Sequence, residues 1–418
     1  MRQMKNSGIE WVGDIPDNWE VTKTKYQFQY KKEIAGLQSD KYERLALTMK
    51  NVVKRSKEDN TGLQPEKFET YQILRQDELV FKLIDLQNVS TSRVGRSSYV
   101  GIVSPAYIIL RQHGKVLPCY AEKYFYVLWK NQVFNSLGDD GVRSNLGKDD
   151  LLNIPIPVPP LSEQKTIAGF LDKKCGAVDA LIADIQQEIE TLEQYKRSVI
   201  TEAVTKGLDP SVLMKDSGIQ WIGAMPANWE CVRVKYILKY LQKPVKKDDG
   251  VITCFRDGEV TLRSNRREDG FTMADKEIGY QGVDIGDLVV HGMDGFAGAI
   301  GISDSRGKAS PILNVLGTKQ NKRYIMYYLR SMAYSDVFMA LSTGIRVRSC
   351  DLRWNKLAEL WYPIPPLKEQ EEIVTYIDET IQKTNKIIFD KQTQIETLES
   401  YKKSLIYEYV TGKKEIIA

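Results

Sequence analysis

The sequence predicts an α+β protein with internal pseudo-two-fold symmetry: two α/β domains joined by two long antiparallel coiled-coil helices. Three observations predict it. The opening KNSGIEWVGDIPDNWE, from Lys5, returns as KDSGIQWIGAMPANWE, from Lys215. A proline-led PPLSEQ, from Pro159, returns as PPLKEQ, from Pro365. An apolar stripe with steps of three and four follows each proline run, the signature of a coiled coil. The repeated unit is roughly half of the 418-residue chain, which makes it a duplicated domain and not a solenoid.

The elements follow in order. The opening repeat matches from Lys5–Tyr26 to Lys215–Tyr236 and keeps both tryptophans, Trp11/Trp221 and Trp19/Trp229, as packing anchors. Behind it the halves diverge, with an echo of DELVF (from Asp77) in GDLVV (from Gly286), and of GIVSPAYIIL (from Gly101) in GKASPILNVL (from Gly307). Each half then shows an aromatic helix candidate, EKYFYVLW from Glu122 and KRYIMYYLR from Lys322, and closes with GVRS (from Gly141) or GIRVRS (from Gly344). The two middles are expected to share a fold but not a surface. The prolines stop each domain, and acidic residues in the following turn suit a helix N-terminus.

In the first long helix the stripe runs Val178, Ile182, Ile185, Ile189, Leu192, Val199 and Ala203, with Lys196 as its polar member. In the second it runs Ile377, Ile381, Ile388, Ile395, Leu398, Leu405 and Tyr409, interrupted by Lys391 and Lys402. A long amphipathic helix lying on a globular domain is the alternative reading. The linker GLDPSVLMKDSG carries helix terminators, so the second domain starts near the far end of the first helix. The second helix then returns along the first. A helix of about 45 residues is on the order of 65 Å long, which predicts a dumbbell. The expected segments are 1–158, the first domain; 159–207, a spacer helix; 208–364, the second domain; and 365–418, a second spacer helix.

Composition is that of a soluble globular chain, with 42% hydrophobic and 27% charged residues. No run of 18 apolar residues and no signal-peptide core occurs, so no membrane span and a cytoplasmic location are expected. Five cysteines without a CxxC pair and only two histidines argue against a disulfide framework or a zinc site. The net charge of +4 is weak by itself. Basic residues are nevertheless dense in KNVVKRSK (from Lys50) and RSNRRED (from Arg263), although either run alone also suits a solvated loop.

Catalytic patterns are missing. There is no GxGxxG after a strand, no HExxH and no GxSxG. GVRSNLGKDD, from Gly141, has the wrong spacing for a phosphate loop and lacks Ser or Thr after Lys148. The two Pro-Pro steps do not fit the tetrapeptide of adenine methyltransferases, and His291 in HGMDG reads as a turn or contact residue. No catalytic residue, cofactor or metal is expected.

The paired openings, the PPLSEQ and PPLKEQ helix starts, and the endings ETLEQYKRSVI (from Glu190) and ETLESYKKSLI (from Glu396) together resemble the specificity subunit of a type I restriction-modification enzyme. The resemblance spans essentially the whole chain. It implies two target-recognition domains, each reading one half of a split double-stranded DNA sequence, with helical spacers between them. It also implies two methyltransferase (modification) subunits and nuclease/translocase restriction subunits as partners, with no catalysis by the specificity subunit itself. The residues add a reason. Two equivalent frames offer two equivalent docking surfaces, and unlike middles read an asymmetric target around an unread gap that the rod sets.

Arg and Lys favour guanine edges and phosphates. The DNA-binding candidates are Lys54, Arg55, Arg93, Arg96 and Arg143 in the first domain. In the second they are Arg256, Arg263, Arg266, Arg267, Lys308 and Arg346. The stretch STSRVGRSS, from Ser90, is expected to be an exposed contact loop, and the matching Arg143 and Arg346 are expected on phosphate. A purely structural coiled-coil protein and an enzyme with an unfamiliar site are the alternatives. Salt-dependent DNA binding separates the first, and assay of the purified chain separates the second.

Overall fold

The structure is a computed structural model that describes residues 2–49, 51–59, 67–87, 91–138, 145–266, 277–340 and 351–416. Its fold is α+β. The chain divides into two compact units, Met1–Ile185 with Thr393–Ala418, and Gln186–Gln392. Both divisions fall inside the long helices, Leu161–Lys206 and Leu367–Val410. Each unit therefore holds one mixed domain, the start of one long helix and the end of the other.

In the first unit a four-stranded antiparallel sheet runs in the order Phe28–Tyr30, Ile108–Gln112, Leu79–Phe81, Val94–Arg96. Alternation sorts its side chains. Leu79, Phe81 and Leu110 face the aromatic helix Pro118–Lys130, while Val80 and Ile109 face a second sheet. Phe81 meets Phe125 edge-to-face at 5.1 Å. The second sheet runs Val52–Arg55, Arg44–Leu47, Gly101–Val103, Gln72–Leu74, with a parallel central pair.

The second unit repeats this order strand for strand. Leu238–Tyr240, Leu313–Thr318, Leu288–His291 and Ile300–Ile302 form the antiparallel sheet under the helix Lys322–Tyr334. Leu288, Val290 and Leu316 face that helix, and Val289 and Val315 face away. The outer layer is the hairpin Ile252–Cys254/Val260–Leu262 and the pair Gln281–Val283/Gly307–Ala309. The central parallel pairing shrinks to a bridge between Val251 and Lys308. The faint sequence echoes are thus equivalent strands.

Within each unit the long helices run antiparallel. In the first, Phe170 meets Tyr409 and Asp179 meets Lys402. In the second, Glu188 meets Lys391 and Lys196 meets Asn385. The three lysines that interrupt the stripes are therefore cross-helix contacts. Lys402 Nζ donates to both Asp179 oxygens at 2.6 and 2.7 Å, and Lys196 Nζ donates to Asn385 Oδ1 at 2.7 Å. A polar group in an apolar seam specifies register at some cost in stability, while the aliphatic stems still cover the seam. The buried Thr384 fills the stripe position between Ile381 and Ile388. Gly207 and Gly412, with φ of 75° and 71°, follow the two helices in the left-handed conformation that ends them. At Gly412 a Cβ would lie 2.3 Å from Pro16 Cδ, so the site needs glycine for space as well. Among the described residues no helix is long and apolar enough to cross a membrane, and no three His, Cys, Asp or Glu converge as a metal site.

Candidate nucleic-acid interface

The repeated motifs build one clasp in each unit. Trp19 and Trp229 are wholly buried. The indole N–H of Trp19 donates to Glu163 at 3.0 Å, and that of Trp229 donates to Glu369 at 2.9 Å. These are the glutamates of PPLSEQ and PPLKEQ. The glutamines beside them tie the long helix to the aromatic one. Gln164 accepts from Leu117 N at 2.7 Å, and Gln370 accepts from Asn321 N at 3.0 Å. At the far ends, Tyr120 OH donates to Val410 O at 2.8 Å and Tyr324 OH donates to Val204 O at 3.0 Å. Tyr120 and Tyr324 sit edge-on to the buried tryptophans at 6.4 and 6.5 Å. Opening repeat, proline run and helix endings are thus one connected frame, made twice.

On this shared frame the domains carry unlike groups. Lys82 N donates to Arg93 O at the place where His291 N donates to Ala299 O. So Lys82 and His291 are equivalent positions, as are Arg93 and Ala299. Burial, with Arg93 alongside, holds the Lys82 ammonium below its ordinary pKa. Burial also pulls His291 down, against the opposing carboxylate of Asp294. His291 Nδ1 accepts from the amide of Asp294 at 2.9 Å, which makes it a turn-forming residue.

The candidate cations are distributed unevenly. Lys54 lies on the strand Val52–Arg55, paired with Glu43 at 2.6 Å and 5.2 Å above the Tyr99 ring. Arg55 pairs with Asp59 at 2.7 Å. Arg96 is locked by Asp77 at 2.8 Å and Glu122 at 3.6 Å. In the second domain Arg256 pairs with Asp294 at 2.9 Å, and Arg266 with Asp257 and Glu259 at 2.6 and 2.9 Å. Lys308 pairs with Glu277 at 2.6 Å, and Arg263 Nε reaches Thr253 Oγ1 at 3.3 Å.

Arg93 departs from the expected exposed loop. It is 0% exposed. Its Nη2 donates to Asp85 O at 2.6 Å, while Nε and Nη1 find no hydrogen-bond partner among the described residues. The physical reason is that Val94–Arg96 is a strand paired with Leu79–Phe81 and covered by the aromatic helix, so Ser92, Arg93 and Ser97 are drawn into the domain. Arg143, Arg267 and Arg346 lie outside the described residues.

Comparison with known proteins finds one kind of relative. A sequence model of the type I restriction modification DNA specificity domain matches residues 17–191. The MjaVIII type I restriction enzyme specificity subunit of Methanocaldococcus jannaschii is 26% identical, over 75% of this chain and 74% of its own. The putative MjaX specificity subunit of the same organism is 23% identical, over 96% and 95%. These matches are to type I restriction-modification specificity subunits, which the chain resembles in sequence. A solved chain from work on complex assembly and conformational transition of the type I R-M system shares the fold. Its TM-score is 0.66 at 14% identity, covering 96% of this chain and 99% of that one.

Sequence reasoning missed cations that only the fold gathers. Arg197 and Lys403 occupy matching places in the repeated helix endings, and Lys130 and Arg330 lie on the aromatic helices. None of the four has an ion-pair partner among the described residues, in contrast to most of the candidates above. For Arg197 and Lys403 the signal in the sequence was a basic residue directly beside a stripe position, which reads as coiled-coil surface.

Proposed function

We propose that the chain is the DNA-recognition subunit of a type I restriction-modification complex and carries no catalysis of its own. Each mixed domain reads one part of an asymmetric bipartite sequence in double-stranded DNA. The long helices set the unread gap. The two clasps dock two modification (methyltransferase) subunits, and restriction subunits complete the complex. The observation that carries this reading is the strand-for-strand repetition of one inner sheet with unlike side chains at equivalent strand ends, Lys82 and Arg93 against His291 and Ala299. A duplicated frame with unlike readers suits two unlike half-sites, whereas identical readers would suit a palindrome. The names of the Methanocaldococcus jannaschii relatives support the same role.

Sequencing methylated adenines in cells that make this chain with its modification subunits tests it. One bipartite motif is expected, and it disappears when the chain is removed. Methylation that persists unchanged without the chain overturns the reading.

A further inference from the structure

We propose that in each unit the seam between the aromatic helix and the long-helix pair is a phosphate site for the DNA backbone, held by Arg197 and Arg330 in the second unit and by Lys130 and Lys403 in the first. The inference rests on the DNA-recognition reading above and adds where the duplex is gripped independently of sequence.

In the second unit two guanidinium groups converge on one ring. Arg197 lies 5.3 Å and Arg330 5.8 Å from the centre of Tyr334. Arg330 Nε donates to Tyr334 OH at 2.9 Å and its Nη2 to Asp257 O at 2.7 Å, which aims the guanidinium without neutralising it. These groups, with Arg256 and Phe296, line a cleft of ≈ 630 Å³. The carboxylates along it do not cancel the charge. Glu193 is taken by Lys196 at 2.9 Å and Asp257 by Arg266 at 2.6 Å, leaving Asp336.

The first unit has the same arrangement with the residue types exchanged. Tyr120 and Tyr324 make equivalent bonds to the ends of the long helices, so Tyr126 stands where Arg330 stands and Lys130 where Tyr334 stands. Lys130 lies 4.5 Å over the Trp129 ring and 5.8 Å over Tyr126, and Lys402 also lies 5.8 Å from Tyr126. Burial lowers the Lys130 pKa; Glu399 opposes this, while Lys402 and Lys403 add to it. Lys402 is neutralised by Asp179, and among the described residues Lys130 and Lys403 form no ion pair.

Like charges held together against a partly buried surface destabilise the free protein. Aromatic faces compensate only in part. A phosphodiester supplies the missing negative charge, and Arg forks match its oxygens two at a time. That the cluster recurs at the same point of the frame, with cation and aromatic exchanged, separates it from chance surface charge.

The test uses the chain assembled with its modification subunits, a duplex carrying the methylated motif, and an unrelated duplex of equal length. Kd is measured for both across a salt series. Wild-type affinity falls steeply with salt. Arg197→Gln and Lys403→Gln each lower the slope of log K against log salt by about 0.9, and each weakens binding to both duplexes equally, roughly fivefold near 0.15 M salt. Arg197→Lys restores most of the slope. Unchanged slopes, weakening confined to the specific duplex, or release of the modification subunits each overturn the proposal. A wild-type complex that binds without salt dependence sinks the DNA-recognition reading itself.

Discussion

Glu163 is the point at which the clasp of the first unit can be opened with least disturbance. Its carboxylate accepts the indole N–H of the wholly buried Trp19 at 3.0 Å and pairs with Arg2, whose Nη2 lies 2.7 Å away. Glu163→Ala leaves the indole donor buried and unmatched, at a cost of about 1–3 kcal/mol. Loss of the part-exposed Arg2 pair adds under about 1 kcal/mol, and loss of an acid from the helix's first turn adds about 0.5 kcal/mol. The sum is about 1.5–4.5 kcal/mol. Glu163→Gln keeps an oxygen for the indole and loses only the charge, at about 1 kcal/mol. Native-state hydrogen exchange at the Trp19 amide, which donates to Pro16 O at 2.9 Å, reads the local opening directly. Exchange should quicken roughly 10- to 2,000-fold in the alanine variant and about fivefold in the glutamine variant. Glu369→Ala removes a carboxylate whose partners among the described residues are the Trp229 indole and Asn228, and should act on the Trp229 amide, bonded to Pro226 O at 3.0 Å, without the ion-pair contribution. If alanine and glutamine variants exchange alike, or if the whole first unit quickens equally, the clasp does not work through the indole bond.

Three further outcomes are expected. Tyr324→Phe should destabilise the second unit more than Tyr120→Phe destabilises the first, by about 1 kcal/mol. The single Tyr324 hydroxyl proton lies between two buried carbonyls, Val204 O at 3.0 Å and Pro363 O at 2.9 Å, so its loss leaves two acceptors short of a donor, whereas among the described residues Tyr120 serves Val410 O; urea unfolding followed unit by unit checks this. Lys243 and Arg306 hold the Asp284 carboxyl down at about 2, against an ordinary 3.8. A depressed folded pKa stabilises above the unfolded value and is lost as pH falls through the folded one, so wild type should lose stability between pH 3.8 and about 2. In Asp284→Asn an acid titration followed by near-UV circular dichroism should be flatter over that window. Inserting one heptad in register into both long helices adds about 10 Å of helix. It should lengthen the gap in the methylated motif by about three base pairs and leave both half-sequences as before; an unchanged gap removes the helices as the spacer.

The sequence by itself determined the duplicated frame. A clasp that must be made twice needs the same residues twice, so Trp19 and Trp229, Glu163 and Glu369, and Gln164 and Gln370 stand in repeated words. The stripe from Val178 to Ala203 likewise declares a helix pair, because burial along one face imposes its period. Tertiary structure alone decided what the interruptions and cations do. Lys391 and Lys402 look like defects until the antiparallel partner brings Glu188 and Asp179 across. STSRVGRSS looks like a basic loop, yet pairing with Leu79–Phe81 draws Arg93 inside. The exchange of Lys130 and Tyr126 for Tyr334 and Arg330 erases any sequence likeness while preserving the charge. Local pattern records which face of an element is buried. Which charge meets which depends on neighbours brought from far along the chain.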